Sequence, residues 1–385
     1  MKLKQKSFLV FVAIIIGVFI GIVIWKFLGP SLGQGVFYYR VEGNEAGLFL
    51  LKNSHSKKIV NLAAREVNPG DFRPPQRSYL SNSKKEMIYF KQIDEVPVEG
   101  VEQNQEFVIN RVIYRPILVN LKSGKETELN QEIDSAGLVF SPDDKKIAWV
   151  KQVNEVTYTQ IEQSGKRREV MVSDKDGQNP QSLVSFDENL IVLKKWTGDY
   201  IYFQGFWDVY NRSLGRINIK TKQVEYLTPQ GCVKTLENCQ NFEFTDSGNK
   251  FLYEIASKKD DKDITELYLG DFNTKKSLAV LTTDQIGNRV WIDDGKMFFY
   301  TEQEEDKKGN INETIHLVDI ENQTDDAVYQ GNYISQLTFD QGGRYLYFIE
   351  KQREGENFNL MRLDLKTKKT EIILTENYNK ILLLQ

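Results

Sequence analysis

Ser141-Pro142-Asp143-Asp144-Lys145-Lys146-Ile147-Ala148-Trp149-Val150 reads as a tight turn running into a strand. Ser, Asp and a leading Pro suit a reversal of the chain, because they accept turn φ angles and bond to their own backbone. Ile-Ala-Trp-Val is the β-branched and aromatic run of a half-buried strand. Leu138-Val139-Phe140 precedes the turn, so the stretch predicts a β-hairpin. The unit recurs as SNSKKEMIYF at 81–90, WTGDYIYF at 196–203, TDSGNKFLYE at 245–254, DDGKMFFY at 293–300 and DQGGRYLYFI at 340–349. VFYYR at 36–40 is a further copy without its turn. Taking Phe37, Ile88, Ile147, Ile201, Leu252, Phe298 and Leu346 as equivalent, the steps are 51, 59, 54, 51, 46 and 48 residues. A strand-built period near fifty predicts a seven-bladed β-propeller, an all-β fold.

Each repeat continues with a third strand, such as ILVNL, GRINI or LMRLD, then a short turn such as KSGK, KTKQ or KTKK, then a fourth strand. Four antiparallel strands make one blade. The first repeat lacks an innermost strand, and the last is complete by Leu374. The apolar Ile381–Leu384 is left over. It is expected to complete the first blade, closing the ring and removing the open edges.

The turn-led copies resemble the TolB-type propeller repeat, a relative of the WD repeat, over residues 36–385. The 141–149 copy carries the likeness most clearly, although Asp144 stands where the family's usual form has Gly. The resemblance implies the fold and leaves function open, since such propellers serve as scaffolds, partner-binding modules and gates on peptidases.

Residues 1–26 read as a cytoplasmic tip and a transmembrane anchor. Lys2, Lys4 and Lys6 precede an uncharged apolar run, and Phe8–Trp25 is close to the ~20 residues that span a bilayer as a helix. The lysines before the run place the N-terminus in the cytoplasm and the propeller outside it, in the periplasm or at the cell surface. No small-residue cleavage motif follows, which favours an uncleaved anchor. Gly17 and Gly21 form a GxxxG spacing that small residues of any membrane helix can produce. The linker, residues 27–35, reaches about 30 Å at ~3.3–3.6 Å per residue and holds the propeller near the membrane.

The chain is −4 overall; residues 1–26 hold four Lys and no acid, which leaves −8 for residues 27–385. That balance, with no basic tract, argues against nucleic acid and against strong attraction to anionic lipid. Cys232 and Cys239 are the only cysteines, and an even, closely spaced pair outside the cytoplasm predicts a disulfide.

The catalytic inventory is thin. His55 falls in a turn and His316 in a strand, and two distant histidines build no metal centre. No G-x-S-x-G elbow occurs. Asp143, Asp144, Asp174, Asp176, Asp293 and Asp294 occupy turns, and Asp174-Lys-Asp-Gly lacks the distal Glu of an EF-hand. Nothing points to a cofactor. The Asn-x-Ser/Thr sites at Asn211, Asn312 and Asn322 matter only in a glycosylating host.

Loop length separates two faces. The turns within strand pairs are short. The connections after the second strands are expected to be long, at 93–111, 153–166, 204–213, 256–264, 302–313 and 351–356, and segment 63–76 joins their face. Elaborated loops on a rigid scaffold are where binding concentrates. Phe206, Trp207, Tyr210 and Arg212 offer aromatic anchors and an Arg there, and are the candidate partner-binding residues. The alternative is that Phe206 and Trp207 pack beneath the loop. The sequence therefore predicts a membrane-anchored, extracytoplasmic, non-catalytic module that binds a protein partner in the cell envelope. The alternatives are a module binding envelope polysaccharide or a small ligand, or a carboxylate-dependent hydrolase or lyase on the propeller axis.

Overall fold

Aromatic and branched residues alternate along every second strand, and this alternation decides how the sheets stack. In Val36–Glu42, Phe37, Tyr39 and Val41 enter one hydrophobic cluster while Val36 and Tyr38 enter another. Successive side chains of a strand point to opposite faces, so each sheet is apolar on both faces and packs against two neighbours. The computed structural model describes residues 35–42, 45–52, 55–63, 65–68, 71–73, 78–97, 110–129, 137–152, 168–188, 190–206, 212–233, 236, 238–259, 262–283, 286–305, 311–340, 343–352, 357–377 and 381–384.

These residues form seven four-stranded antiparallel sheets. The innermost strands of blades two to seven are Ser78–Leu80, Leu138–Phe140, Leu190–Thr197, Cys239–Phe244, Ile286–Asp293 and Ile334–Phe339. That of blade one is Ile381–Leu383, which pairs antiparallel with Val36–Glu42 through Tyr38↔Leu383 and Arg40↔Ile381. The C-terminal strand thus closes the ring. Seven hydrophobic clusters fill the seven blade interfaces, one for each. Ile381, Leu383 and Leu384 are buried in the first and last of these interfaces, while Leu382 is only half-buried.

Because the strands alternate in direction, the hairpins joining strands one to two and three to four emerge on one face of the ring. These are the inner and outer hairpins. The connections from strand two to three, and from strand four to the next blade, emerge on the opposite, loop face. Asp144 in the inner hairpin of blade three has φ 56° and so fills the left-handed position that Gly usually takes. Its carboxylate accepts from the Asn82 and Ser83 amides, each at 2.8 Å, tying blade three to blade two. A Gly there could not make that tie.

The loop face departs from expectation in blades two, five and six and in segment 63–76. Residues 256–264 are not a long loop: strands Lys250–Lys259 and Lys262–Asp271 pair to Lys259↔Lys262 and leave two residues between them. The connection of blade two is shortened at both ends, with strands running to Pro97 and from Asn110, and blade six extends to Glu305 and resumes at Ile311. Segment 63–76 contains a small hairpin, Arg65–Asn68 with Asp71–Arg73. In each case strand pairing continued beyond the apolar pattern, where polar side chains left no period to read. No helix among the described residues is long and apolar enough to cross a membrane; the expected anchor, Phe8–Trp25, lies outside the described residues.

Candidate functional site

The axis of the ring is built from irregular strands. Pairing between the innermost and second strands slips at Leu193/Lys195 in blade four, Gln240/Glu243 in blade five, Ile286/Arg289 in blade six and Ser335/Thr338 in blade seven. Each slip is a bulge, which leaves residues unpaired and re-aims their side chains. Asn241 and Gln336 take φ 54° and 57° there. The freed groups stitch neighbouring blades. Asn288 Nδ2 donates to Ile334 O at 3.4 Å, and Gln336 Oε1 accepts from the Leu383 backbone N–H at 2.7 Å. The second of these ties blade seven to the closing strand.

A cavity of about 220 Å³ opens between the innermost strands of blades two, three and four, lined by Tyr79, Asn82, Val139, Lys194, Lys195 and Trp196. Lys194 is the bulged residue of its strand. It meets water in the cavity, yet protein surrounds it, and the lost hydration lowers its ammonium pKa while the Glu243 charge opposes that shift. Burial raises the Glu243 carboxyl above the usual carboxylate range, against the pull of Arg289 and Lys194.

Arg289 is the hub of this cluster. Its side chain is 7% exposed and that of Glu254 4%. Nε faces Glu243 Oε2 at 3.4 Å, Nη1 bonds Glu254, and Nη2 donates to Asn241 O at 2.9 Å. Glu254 also accepts from the side chains of Asn241 at 2.8 Å and Gln240 at 3.4 Å. Acid–base catalysis needs a carboxyl that can exchange a proton with a substrate. Glu254 is consumed by three donors inside the protein. Glu243, 33% exposed, keeps an accessible face beside Lys194. At the hairpin-side mouth, burial lowers the Lys84 ammonium pKa, with Asp246 and Asp340 acting against it. Lys195 donates to Asp246 Oδ1 at 2.8 Å.

The residues singled out from sequence lie elsewhere. Phe206 and Arg212 face each other as the last pair of their hairpin, both half-buried, with the guanidinium 5.8 Å from the ring centre. Arg212 Nη1 donates to Cys239 O at 3.2 Å, so this side chain links blade four to blade five. Trp207 and Tyr210 lie outside the described residues. Cys232 and Cys239 are joined by a disulfide.

His55 opens the outermost strand of blade one, exposed, rather than sitting in a turn. His316 belongs to a ladder across blade six. It stacks on Tyr300 at 4.8 Å, with Nδ1 2.9 Å from Asp325 Oδ1 and Nε2 3.5 Å from Glu302 Oε2. Tyr300 OH donates to the other Asp325 oxygen at 2.9 Å. No group of three His, Cys, Asp or Glu among the described residues is arranged to hold a metal ion.

Lys194, Glu243, Glu254 and Arg289 escaped the sequence reading. Their one signal was a charge inside a strand-like run, as in LIVLKKW and QNFEF.

The loop face carries exposed apolar side chains: Val233 in the disulfide loop, Ile311 at the edge of blade six and Tyr333 between blades six and seven. The other large exposed apolar residues among those described, Tyr226, Leu278 and Ile372, lie on outermost strands of three different blades.

No family model matches the chain, and no curated protein matches it in sequence. Solved structures do. A prolyl endopeptidase superposes with a TM-score of 0.61 at 10% identity over 92% of this chain and 49% of its own, so this chain spans about half that enzyme. An oligogalacturonate lyase in complex with manganese gives a TM-score of 0.54 at 10% identity over 83% of each chain. TolB from Acinetobacter baumannii gives 0.43 at 13% identity over 87% of this chain and 77% of that one, too loose to argue from. Likeness at these identities is one of fold: the chain is a seven-bladed β-propeller whose neighbours include both enzymes and a TolB.

Proposed function

We propose that this chain is a membrane-anchored, extracytoplasmic propeller that binds a protein partner of the cell envelope through its loop face and catalyses nothing itself. The observation that carries this reading is the contrast between axis and loop face. On the axis, the buried charges are spent on one another, with Arg289 shared between Glu243 and Glu254. On the loop face, where the Phe206 hairpin also ends, Val233, Ile311 and Tyr333 are 43%, 37% and 40% exposed. Apolar and aromatic side chains held on a rigid rim are what protein interfaces use as anchors. Trp207 and Tyr210 belong, on this reading, to the same surface. The test is affinity purification of the full chain from solubilised membranes. Val233→Asp with Ile311→Asp should lose the partner while melting like wild type, whereas Lys275→Glu with Lys368→Glu should retain it. Retention by the first variant, or loss by the second alone, would remove the loop face from the account.

One observation favours a second reading. Lys194 reaches the axial cavity with its pKa lowered, and Glu243 lies close by with its pKa raised. Perturbed pairs in a cavity are features of sites that bind acidic ligands or move protons. Under this reading the axis takes an acidic saccharide or another small anion. Binding of such a ligand abolished by Lys194→Gln would support it.

A further inference from the structure

The charge on this propeller is sorted by face. The outer hairpins of blades two, four, five and seven read Leu121-Lys-Ser-Gly-Lys125, Ile219-Lys-Thr-Lys-Gln223, Phe272-Asn-Thr-Lys-Lys276 and Leu365-Lys-Thr-Lys-Lys369. Together they carry nine lysines and no carboxylate, all nine exposed. Lys220 pairs with Asp199 at 2.7 Å and Lys275 with Glu225 at 3.2 Å; the other seven form no ion pair with a described residue. Where it is described, the opposite face is acidic by contrast: Glu302, Glu304 and Glu305 end the second strand of blade six, and Asp187 and Glu188 follow the outermost strand of blade three. The −8 of residues 27–385 therefore conceals four basic outer hairpins on this face, although those of blades three and six carry Asp174 and Asp176, and Glu321 and Asp325.

The backbone adds a second observation. Lys222, Lys275 and Lys368 take φ 60°, 57° and 59°, the left-handed position that Gly124 fills at 69° in blade two. Lysine is a poor conformational choice there, and its presence in three blades is not explained by the turn.

The third observation is where the chain enters. Val36 opens the second strand of blade one opposite Leu51, beside the outer hairpin, so the first described strand enters the ring at the basic face. Next to that point lies a cavity of about 320 Å³ with an apolar floor of Phe37, Leu50, Ile59 and Leu121 beneath Lys84, Lys85 and Lys122.

We infer that the hairpin face is a docking surface for anionic phospholipid headgroups, which lays the propeller flat on its own membrane and turns the loop face away from it. This rests on the anchored reading above. Residues 27–35 reach about 30 Å at most, so the face at which that strand enters cannot stand far from the bilayer. Lysines within a Debye length of about 8–10 Å feel the surface potential of anionic lipid. The cavity beside Phe37 would take an acyl segment or an apolar anchor residue at the same level. The weak overall attraction to anionic lipid expected from net charge is thus replaced by a strong attraction confined to one face.

The experiment is amine-reactive footprinting of the full chain in nanodiscs, either zwitterionic or containing about one-third phosphatidylglycerol, read by mass spectrometry. Lys276, Lys366, Lys368 and Lys369 should acylate roughly threefold more slowly or less in the anionic discs, and added salt should abolish the difference. Lys91 and Lys351, on strands running to the loop face, should react alike in both. Replacing Lys275, Lys276, Lys366, Lys368 and Lys369 by Gln should remove the protection of Lys122 and Lys125. Equal rates in the two lipids, or protection of Lys91 and Lys351 instead, would overturn the proposal. So would equal rates in discs with protection regained only in intact cells, which would assign the face to another envelope macromolecule. Insertion into the discs is scored separately by size exclusion, so failure of the anchor is not confused with failure of the face. A chain that does not insert is footprinted on vesicles of the same two compositions, and the same outcomes decide.

Discussion

Replacing Arg289 by Leu should cost this propeller more than any surface change. The guanidinium lies between blades five and six, bonded to Glu243, Glu254 and Asn241 O. Removing it leaves two carboxylates close together, one of them 4% exposed, with no cation touching either. Breaking a buried pair by deleting one partner costs about 3–5 kcal/mol, because the remaining charge keeps its desolvation and loses its compensation. At about 2–4 °C per kcal/mol for domains of 150–250 residues, and no more for a larger ring, the midpoint should fall by up to about 6–20 °C at neutral pH. The pH dependence gives the sign. Burial raises the folded-state pKa of Glu243, and Arg289 opposes that rise. Without Arg289 the folded pKa climbs further above the unfolded one. A group raised in the fold stabilises fully below its unfolded pKa and loses that contribution as pH rises through the folded pKa. The deficit should thus be widest near pH 7 and shrink toward about pH 5. Adding Glu243→Gln and Glu254→Gln should restore most of it. The assay is thermal unfolding of the full chain at both pH values. A single variant that melts within about 2 °C of wild type at pH 7, or a deficit that does not change with pH, would refute this description of the axis.

Deleting residues 381–385 removes Ile381, Leu383 and Leu384, which are 2%, 5% and 8% exposed. At ~1.5–3 kcal/mol each the loss is about 5–9 kcal/mol, comparable to a whole domain's 5–15, so expression should yield aggregated protein and a soluble product would contradict closure. Lys222→Gly, Lys275→Gly and Lys368→Gly relieve left-handed strain and should each raise stability by up to about 1 kcal/mol in a denaturant titration, while the triple variant loses protection on anionic nanodiscs. Reducing the Cys232–Cys239 bridge, which closes a loop with a sequence separation of 7, should cost about 2–3 kcal/mol. Its effect should be felt first by the partner, since Arg212 holds that loop through Cys239 O; unchanged partner capture after reduction would separate the loop from the interface.

The ring was legible because its determinants are local. A turn such as SPDD and a strand such as IAWV announce themselves within ten residues, and the repeat multiplies the signal. Closure was legible because Ile381–Leu384 had no other blade to join. The axis was not legible. Lys194, Glu243 and Arg289 sit one blade apart in sequence and meet only because bulges turn them inward, and a bulge leaves no mark in the apolar pattern. The basic face was hidden for a different reason. KSGK, KTKQ, NTKK and KTKK were visible as turns, but net charge averages over faces that only the closed ring separates. Arg212 was read as an interface anchor, and its bond to the backbone of blade five could not be foreseen from one loop.

The central claim is that the loop face holds the partner, and crosslinking in intact cells tests it most directly. A photoreactive phenylalanine analogue is placed singly at Val233 or Ile311 on the loop face, and at Thr274 or Thr367 on the hairpin face. The loop-face positions should yield one discrete protein adduct, identifiable by mass spectrometry, and the hairpin positions only lipid adducts or none. A discrete protein adduct from Thr274 or Thr367, with none from Val233 or Ile311, would contradict the account.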